Sequence, residues 1–429
     1  MTRTQIELML GLFAAIVALG VLAQWLRVAY PILLVVAGLV LGLQPWAPEY
    51  ELPPDVVFFL FLPPLLYAAA FQTEWRTFRA QLRAITLMAV GLVVFTTAVT
   101  AAAGHYLLDL PWTVGFVLGA IVSPPDAVAA TAVTRRMKVP RIVTTILEGE
   151  SLVNDASALV ALRVAVAAVG SGVVTFWGTA TDFVRVGAGG VAVGLAGAWL
   201  IVRLHTWLAR AKLADSKLTI AITLLTPFAV YLPAEHLHLS GVLAVVAAGL
   251  WVGSRCEKVF DHELYVEAKA VWEMAEFTLN GVIFILIGLQ LPLILRSLSG
   301  DYALADILLA SAGISAAVIV ARFAWVFPGA YLPRWLDGKI YGTSDPYPSW
   351  RNVAVVSWTG MRGVVSLAAA LAIPVTMPHR DVIQLVTFGV IFVTLVGQGL
   401  TLPLVIRWLK VDALADAEAD ADDADEVGD

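Results

Sequence analysis

Apolar and polar residues alternate along this chain on the scale of whole segments. Runs of about twenty apolar residues, the length an α-helix needs to cross a bilayer, are separated by short stretches rich in Arg, Lys, Gly and Pro. Hydropathy and helix breakers together predict spans near 5–24, 28–44, 54–71, 82–108, 112–136 and 140–169. Seven more are predicted near 182–206, 217–233, 239–253, 264–293, 303–329, 350–374 and 381–409. The segments around 205–216 and 256–268 mix charge with apolar residues and are expected to lie along the membrane interface. Composition agrees with this reading. Of the 429 residues 60% are hydrophobic and 14% charged, against about 25% charged in a soluble protein. The expected fold class is an all-α polytopic membrane protein of about thirteen transmembrane helices.

Charge gives the expected orientation. Loops after odd-numbered spans carry Arg27, then Arg76, Arg79 and Arg83, then Arg135, Arg136, Lys138 and Arg141. They continue with Arg203, Arg210, Lys212 and Lys217, then Arg255, Lys258 and Lys269, then Arg334, Lys339 and Arg351, and end with Arg407 and Lys410. The other side holds only Arg3, Arg185, Arg296 and Arg380. Basic residues are retained in the cytoplasm, so the N-terminus is expected outside and the C-terminus inside. The segment 412–429 holds nine of the 33 acidic residues and no basic one, and is expected to be a disordered cytoplasmic tail. Without it the balance is 27 basic against 24 acidic residues. The single cysteine, Cys256, excludes an internal disulfide. The first apolar run lacks a small-residue cleavage site and reads as a retained helix, not a removed signal peptide.

Several charges fall where they are costly. A charged side chain at the bilayer centre costs about 2.5–3.5 kcal/mol on the mildest scale. The fifth span nevertheless carries Asp126, and the sixth carries Glu148, Glu150, Asp155 and Arg163. Glu273 and Glu276 lie in the tenth, Arg322 in the eleventh and Arg362 in the twelfth. Glu148, Arg163, Glu273 and Glu276 sit nearer span ends, where pairing between helices is the expected role. In the sixth span, Ser151 and Asp155 are four apart and share a helix face, with Glu150 and Asn154 as a second stripe beside it. A hydroxyl next to a carboxylate suits a hard cation such as sodium.

The fifth span is interrupted by Ser123-Pro124-Pro125-Asp126. Its two prolines remove two backbone donors and disfavour helix before them, and the carbonyls so released are tolerable at this depth only in a polar cavity. The twelfth span is interrupted by Trp358-Thr-Gly360-Met-Arg362-Gly363. Interrupted helices at corresponding places in two halves point to a transporter's ion site. Six spans on each side of a linking seventh invert the second half, so two inverted six-helix repeats are expected, with helices 5 and 12 broken and crossing.

These residues carry a family resemblance over essentially all thirteen spans. Pro125-Asp126-Ala-Val-Ala in a broken helix, Glu150-Ser151-Leu-Val-Asn154-Asp155-Ala, Arg322 and Met361-Arg362-Gly363 resemble the monovalent cation:proton antiporters of the NhaP and sodium/proton exchanger type. Leu62-Pro63-Pro64 is similar to that family as well. The resemblance implies a homodimer in which helices 1–3 and 7–10 form a scaffold and helices 4–6 and 11–13 an ion-carrying core, together residues 1–411. It implies that Asp155 carries the ion, that Asp126, Ser151 and the Pro125 carbonyl help to hold it, and that Glu150, Asn154 and Arg322, with Arg362, form a structural charge cluster. Two departures stand out. The family often has Asp-Pro in the fifth helix, whereas here the proline precedes the acid. It also often has an acid soon after Leu-Pro-Pro, where this chain continues Leu65-Leu66-Tyr67.

The expected activity is therefore secondary active antiport of a monovalent cation, sodium first and potassium as the alternative, against protons across the plasma membrane, for pH and sodium homeostasis. A carboxylate binds either a proton or a cation, and their competition is sufficient for exchange. Asn154 cannot release a proton, so electroneutral exchange is expected if Glu150 stays paired with Arg322. A cation channel and an intramembrane aspartyl protease using Asp126 and Asp155 are the remote alternatives. No ATP motif, organic cofactor, enzymatic activity or nucleic-acid partner is expected. The partners are a second copy of the chain, membrane lipid, the cation and the proton.

Overall fold

The computed structural model describes residues 3–45, 52–134, 136–137, 139–171, 176–213, 215–259, 262–296, 303–341 and 347–411. The acidic segment 412–429, together with Arg135 and Lys138 of the basic loops, lies outside the described residues.

Helix occupies every predicted stretch. The helices are α1 (Arg3–Leu26), α2 (Tyr30–Gly42), α3 (Pro54–Gln72), a short helix at Trp75–Ala80, α4 (Leu82–Leu108), the pair α5a (Trp112–Val122) and α5b (Ala127–Thr134), and α6 (Arg141–Ser171). There follow α7 (Phe176–Arg210), α8 (Ser216–His236), α9 (Gly241–Val259), α10 (His262–Arg296) and α11 (Leu304–Tyr341). The pair α12a (Trp350–Trp358) and α12b (Val364–Leu371) and α13 (Arg380–Leu409) complete the chain. Among the described residues nine helices are long and apolar enough to cross a membrane, and Leu10–Leu26, Tyr30–Gly42 and Gly241–Arg255 are shorter apolar helices. The two segments expected along the interface include the ends of long helices. α7 continues to Arg210, α9 continues to Val259 and α10 begins at His262. Charged residues there change what the helix faces without removing a backbone donor, so the helix runs on.

The chain forms two compact units: 1–16, 52–80 and 170–283 in one, and 17–51, 81–169 and 284–429 in the other. In the first, α7 lies so close to α9 that a Cβ on Gly194 would run into the Ala244 carbonyl, and α9 meets α3 in the same way at Gly253 and Phe71. In the second, Gly119 of α5a meets the Thr97 carbonyl of α4, and Gly288 of α10 meets Val35 of α2. Hydrocarbon gives apolar helices no reason to associate with one another rather than with lipid, so contact rests on small residues that bring backbones together. Large apolar side chains meanwhile face outward, as at Leu309 (72% exposed) and Val320 (64%) on α11.

Three spans contain a wide π turn: Val57–Phe61 in α3, Leu87–Leu92 in α4 and Val393–Gln398 in α13. The first lies just before Pro63 and Pro64, which have no N–H to return to the preceding turn. The third presents two polar side chains to the break in α12.

Candidate functional site

The second unit buries Glu150 and Asp155 of α6, Arg322 of α11 and Arg362 in the break of α12, with Asp126 in the break of α5. Breaks in α5 and α12 meet there through their backbones, the Asp126 N–H donating to the Met361 carbonyl at 2.7 Å. Two broken helices expose four sets of ends, and each end carries the partial charge of its unpaired peptide groups.

Asp126 occupies the positive ends. Its Oδ1 accepts from the Val128 N–H in the first turn of α5b (2.8 Å), and its Oδ2 accepts from the Val364 N–H at the start of α12b (3.3 Å). Arg362 occupies the negative ends. Its Nε donates to the Val122 carbonyl (2.8 Å), Nη2 to the Ser123 carbonyl (3.4 Å), and Nη1 to the Gly360 carbonyl. One carboxylate and one guanidinium thus neutralise the termini of four half-helices. Arg362 is fully buried.

Glycine makes the crossing possible. A Cβ on Gly363 would collide with the Asp126 carboxylate, and one on Gly360 would lie 2.7 Å from Arg322 Cδ and 2.8 Å from Arg362 Nη1. The α13 π turn completes the arrangement. Thr394 Oγ1 accepts from the Arg362 backbone N–H (3.0 Å), and Gln398 Nε2 donates to the Trp358 carbonyl (2.8 Å).

The face of α6 that bears the two stripes docks on the α5 break. Asn154 Nδ2 donates to the Pro125 carbonyl (2.9 Å), and Ser151 Oγ accepts from the Ala127 N–H (3.4 Å). Glu150 binds Arg322 through both oxygens, at 2.6 and 2.8 Å, and Arg322 Nε donates to the Val356 carbonyl in the last turn of α12a (3.0 Å). Both members of this ion pair are 1% exposed, so it stands in a medium where a stranded charge is costly. Asp155 differs from all of these. Its carboxylate is buried and accepts no hydrogen bond among the described residues.

The eight residues singled out in the sequence therefore converge on one crossing. Pro125 contributes a carbonyl that already accepts from Asn154 and has a second lone pair left. Sequence reasoning missed Thr394 and Gln398. Their signal was present, since they are polar side chains four apart in an apolar span, but nothing in that pattern named α12 as their partner.

A model of the family described as sodium/hydrogen exchanger, transmembrane, matches residues 11–408. The chain belongs to the sodium/hydrogen exchanger family. An uncharacterized Na+/H+ exchanger of Mycobacterium tuberculosis is 36% identical over 94% of the chain and 74% of its own length. The sodium, potassium, lithium and rubidium/H+ antiporter of Bacillus subtilis is 34% identical over 87% of the chain and 57% of its own length. Among solved structures, the sodium proton antiporter MjNhaP1 of Methanocaldococcus jannaschii superimposes with a TM-score of 0.69 at 19% identity, covering 94% of this chain and 98% of that one. The exchanger family accounts for a multi-pass membrane protein of this all-helical fold, and it is a family of transporters.

Proposed function

We propose that the chain exchanges one monovalent cation, sodium first, for one proton, with Asp155 as the group that both ions occupy in turn. The observation that carries this reading is the contrast at the crossing. Asp126, Glu150, Arg322 and Arg362 are each held by hydrogen bonds or an ion pair, while Asp155 alone keeps its carboxylate unengaged among the described residues. Ser151 Oγ, the Pro125 carbonyl and Asp126 stand on the elements around it and supply the oxygen ligands that a hard cation takes.

Stoichiometry follows from which groups can exchange a proton. Asn154 has none to release, and Glu150 is locked to Arg322. Asp126 is held by the Val128 and Val364 N–H groups at the positive helix ends, so Asp155 is the one charge left for either ion to neutralise before the site moves through a low-dielectric region, where a bare carboxylate would be costly. One-for-one exchange leaves the membrane potential out of the balance, a process suited to pH and sodium homeostasis. Potassium is the alternative cargo, favoured by the breadth of ions in the name of the Bacillus subtilis relative.

The reading includes thirteen crossings in two inverted repeats, an outward N-terminus and a cytoplasmic C-terminus in the plasma membrane. It also includes a homodimer with helices 1–3 and 7–10 as scaffold and helices 4–6 and 11–13 as moving core. Support comes from the asymmetry of basic residues between loops and from the convergence of α5, α6, α11 and α12 in one unit.

The test is proton flux in everted vesicles, read with a pH-sensitive dye while sodium, lithium and potassium are added separately. The parent chain should dissipate the gradient with sodium. Asp155→Asn should abolish the response at unchanged expression and unchanged thermal stability. Sodium-dependent flux that survives in that variant removes Asp155 as the carrier.

A further inference from the structure

Away from the crossing, the second unit contains a cavity of 620 Å³ where the ends of α1, α5b and α13 meet the start of α2. Three arginines line it: Arg27 just after α1, Arg136 just after α5b, and Arg407 in the last turn of α13. No acidic residue lines it among the described residues. Arg136 donates to the Val28 carbonyl across the cavity (3.2 Å), which fixes the guanidinium at its edge. Arg27 and Arg407 have no ion-pair partner among the described residues. The remaining wall is largely apolar, with Val133, Leu400 and Pro403 among its residues.

All three arginines are exposed at one end of their helices, so the cluster is open to an anion that reaches that surface. The depth of the cavity indicates what that is. Trp25 and Trp408, each next but one or next to a cavity arginine, are 78% and 81% exposed, and tryptophan at the end of an apolar span marks the level of lipid headgroups. Leu400 and Leu404 continue outward from the cavity along α13, 48% and 63% exposed. The cavity therefore has cationic donors at headgroup level and apolar surface running from it toward the hydrocarbon.

We propose that this cavity binds the phosphate headgroup of an anionic phospholipid, held by Arg27, Arg136 and Arg407, with an acyl chain along α13. Arginine presents paired N–H donors that suit phosphate oxygens, and basic pockets between membrane helices bind anionic headgroups on this principle. The cavity lining does not include Asp155, Asp126 or their bonding partners, and the proposal does not depend on which cation is carried. It rests on the proposed membrane crossing of α1, α5 and α13, and lipid binding is read without any transport.

The test measures lipid retention on the full chain by native mass spectrometry, with delipidated protein offered phosphatidylglycerol, cardiolipin or phosphatidylcholine, and with inorganic phosphate in a separate arm. Phosphatidylglycerol or cardiolipin should be retained in preference to phosphatidylcholine, and millimolar phosphate should compete weakly. Each arginine near a membrane surface contributes about 1 kcal/mol toward an anionic lipid, equivalent to roughly five-fold. Single Arg→Gln changes at 27, 136 or 407 should thus weaken retention about five-fold, and the triple variant about a hundredfold. Arg76→Gln with Arg79→Gln removes charge elsewhere and should leave retention unchanged, which separates local binding from net charge. Equal retention of phosphatidylcholine, full retention by the triple variant, or displacement of lipid by phosphate alone would overturn the proposal. Retention seen only after truncation at Val411 would make the acidic tail the occupant and would overturn it equally.

Discussion

Breaking the Glu150–Arg322 pair is the perturbation whose size the structure determines best. Arg322→Met removes two charge-assisted bonds, at 2.6 and 2.8 Å, and a third to the Val356 carbonyl at 3.0 Å. It leaves the Glu150 carboxylate 1% exposed without the guanidinium that bonds it. Stranding one member of a buried pair costs about 3–5 kcal/mol. An unfolding entropy of about 2.1 cal/mol/K per residue over 429 residues converts each kcal/mol to roughly 1 °C, so the melting temperature should fall by about 3–5 °C. Glu150→Leu combined with Arg322→Met removes both charges, and an apolar replacement for a buried pair is often neutral. What remains is the Val356 carbonyl without its donor, about 1–3 kcal/mol. The double variant should therefore melt above the single one. Thermal unfolding in detergent, followed by intrinsic tryptophan fluorescence, gives both numbers. An unshifted single variant, or a double variant no better than the single, would refute the view that the pair is held as a buried charge compensation.

Gly363→Ala should abolish proton flux in vesicles, because its Cβ collides with the Asp126 carboxylate; normal flux would mean the crossing is looser than described. Arg362→Glu should be far more damaging to both stability and flux than Arg362→Gln, which keeps donors for the Val122 and Ser123 carbonyls; equal melting temperatures in the two would show that the helix ends exert no such field. Asp126→Ala should lose about 1–2 kcal/mol, the cost of removing a cap from a helix start, together with flux. Asp126→Asn keeps one acceptor and should retain more of both, as melting and vesicle assays will measure.

Much of the fold was legible because a bilayer imposes strict requirements on sequence. A span must be long and apolar, so α3, α4 and α6 could be placed within a few residues. Pro124-Pro125 and Gly360 to Gly363 marked the breaks for the same reason, since each denies the helix a donor or relaxes its backbone. The charges at 126, 150, 155, 322 and 362 stood out against the apolar background. Less legible was what each charge would touch. Asp126 bonds two backbone N–H groups, and the partners of Arg362 are backbone carbonyls, which every residue has and no sequence singles out. The π turn of α13 left no clear mark either, because a single widened turn shifts helical periodicity too little to read. At 205–216 and 256–268 the mix of charge and apolar residues left the helix ends unplaced, and α7 continues to Arg210.

The main-chain bonding of Arg362 implies an uneven tolerance to substitution. Its guanidinium contacts oxygens of positions 122, 123 and 360 that are present whatever side chain stands there. Residue identity at 122 and 123 can therefore drift, limited by volume, while the hub itself cannot. Saturation mutagenesis scored by growth under sodium stress should accordingly give an intolerant arginine beside permissive positions 122 and 123, with Gly360 intolerant for its lack of a side chain and not for its carbonyl. The Glu150–Arg322 pair is joined side chain to side chain, so there both members should be constrained together.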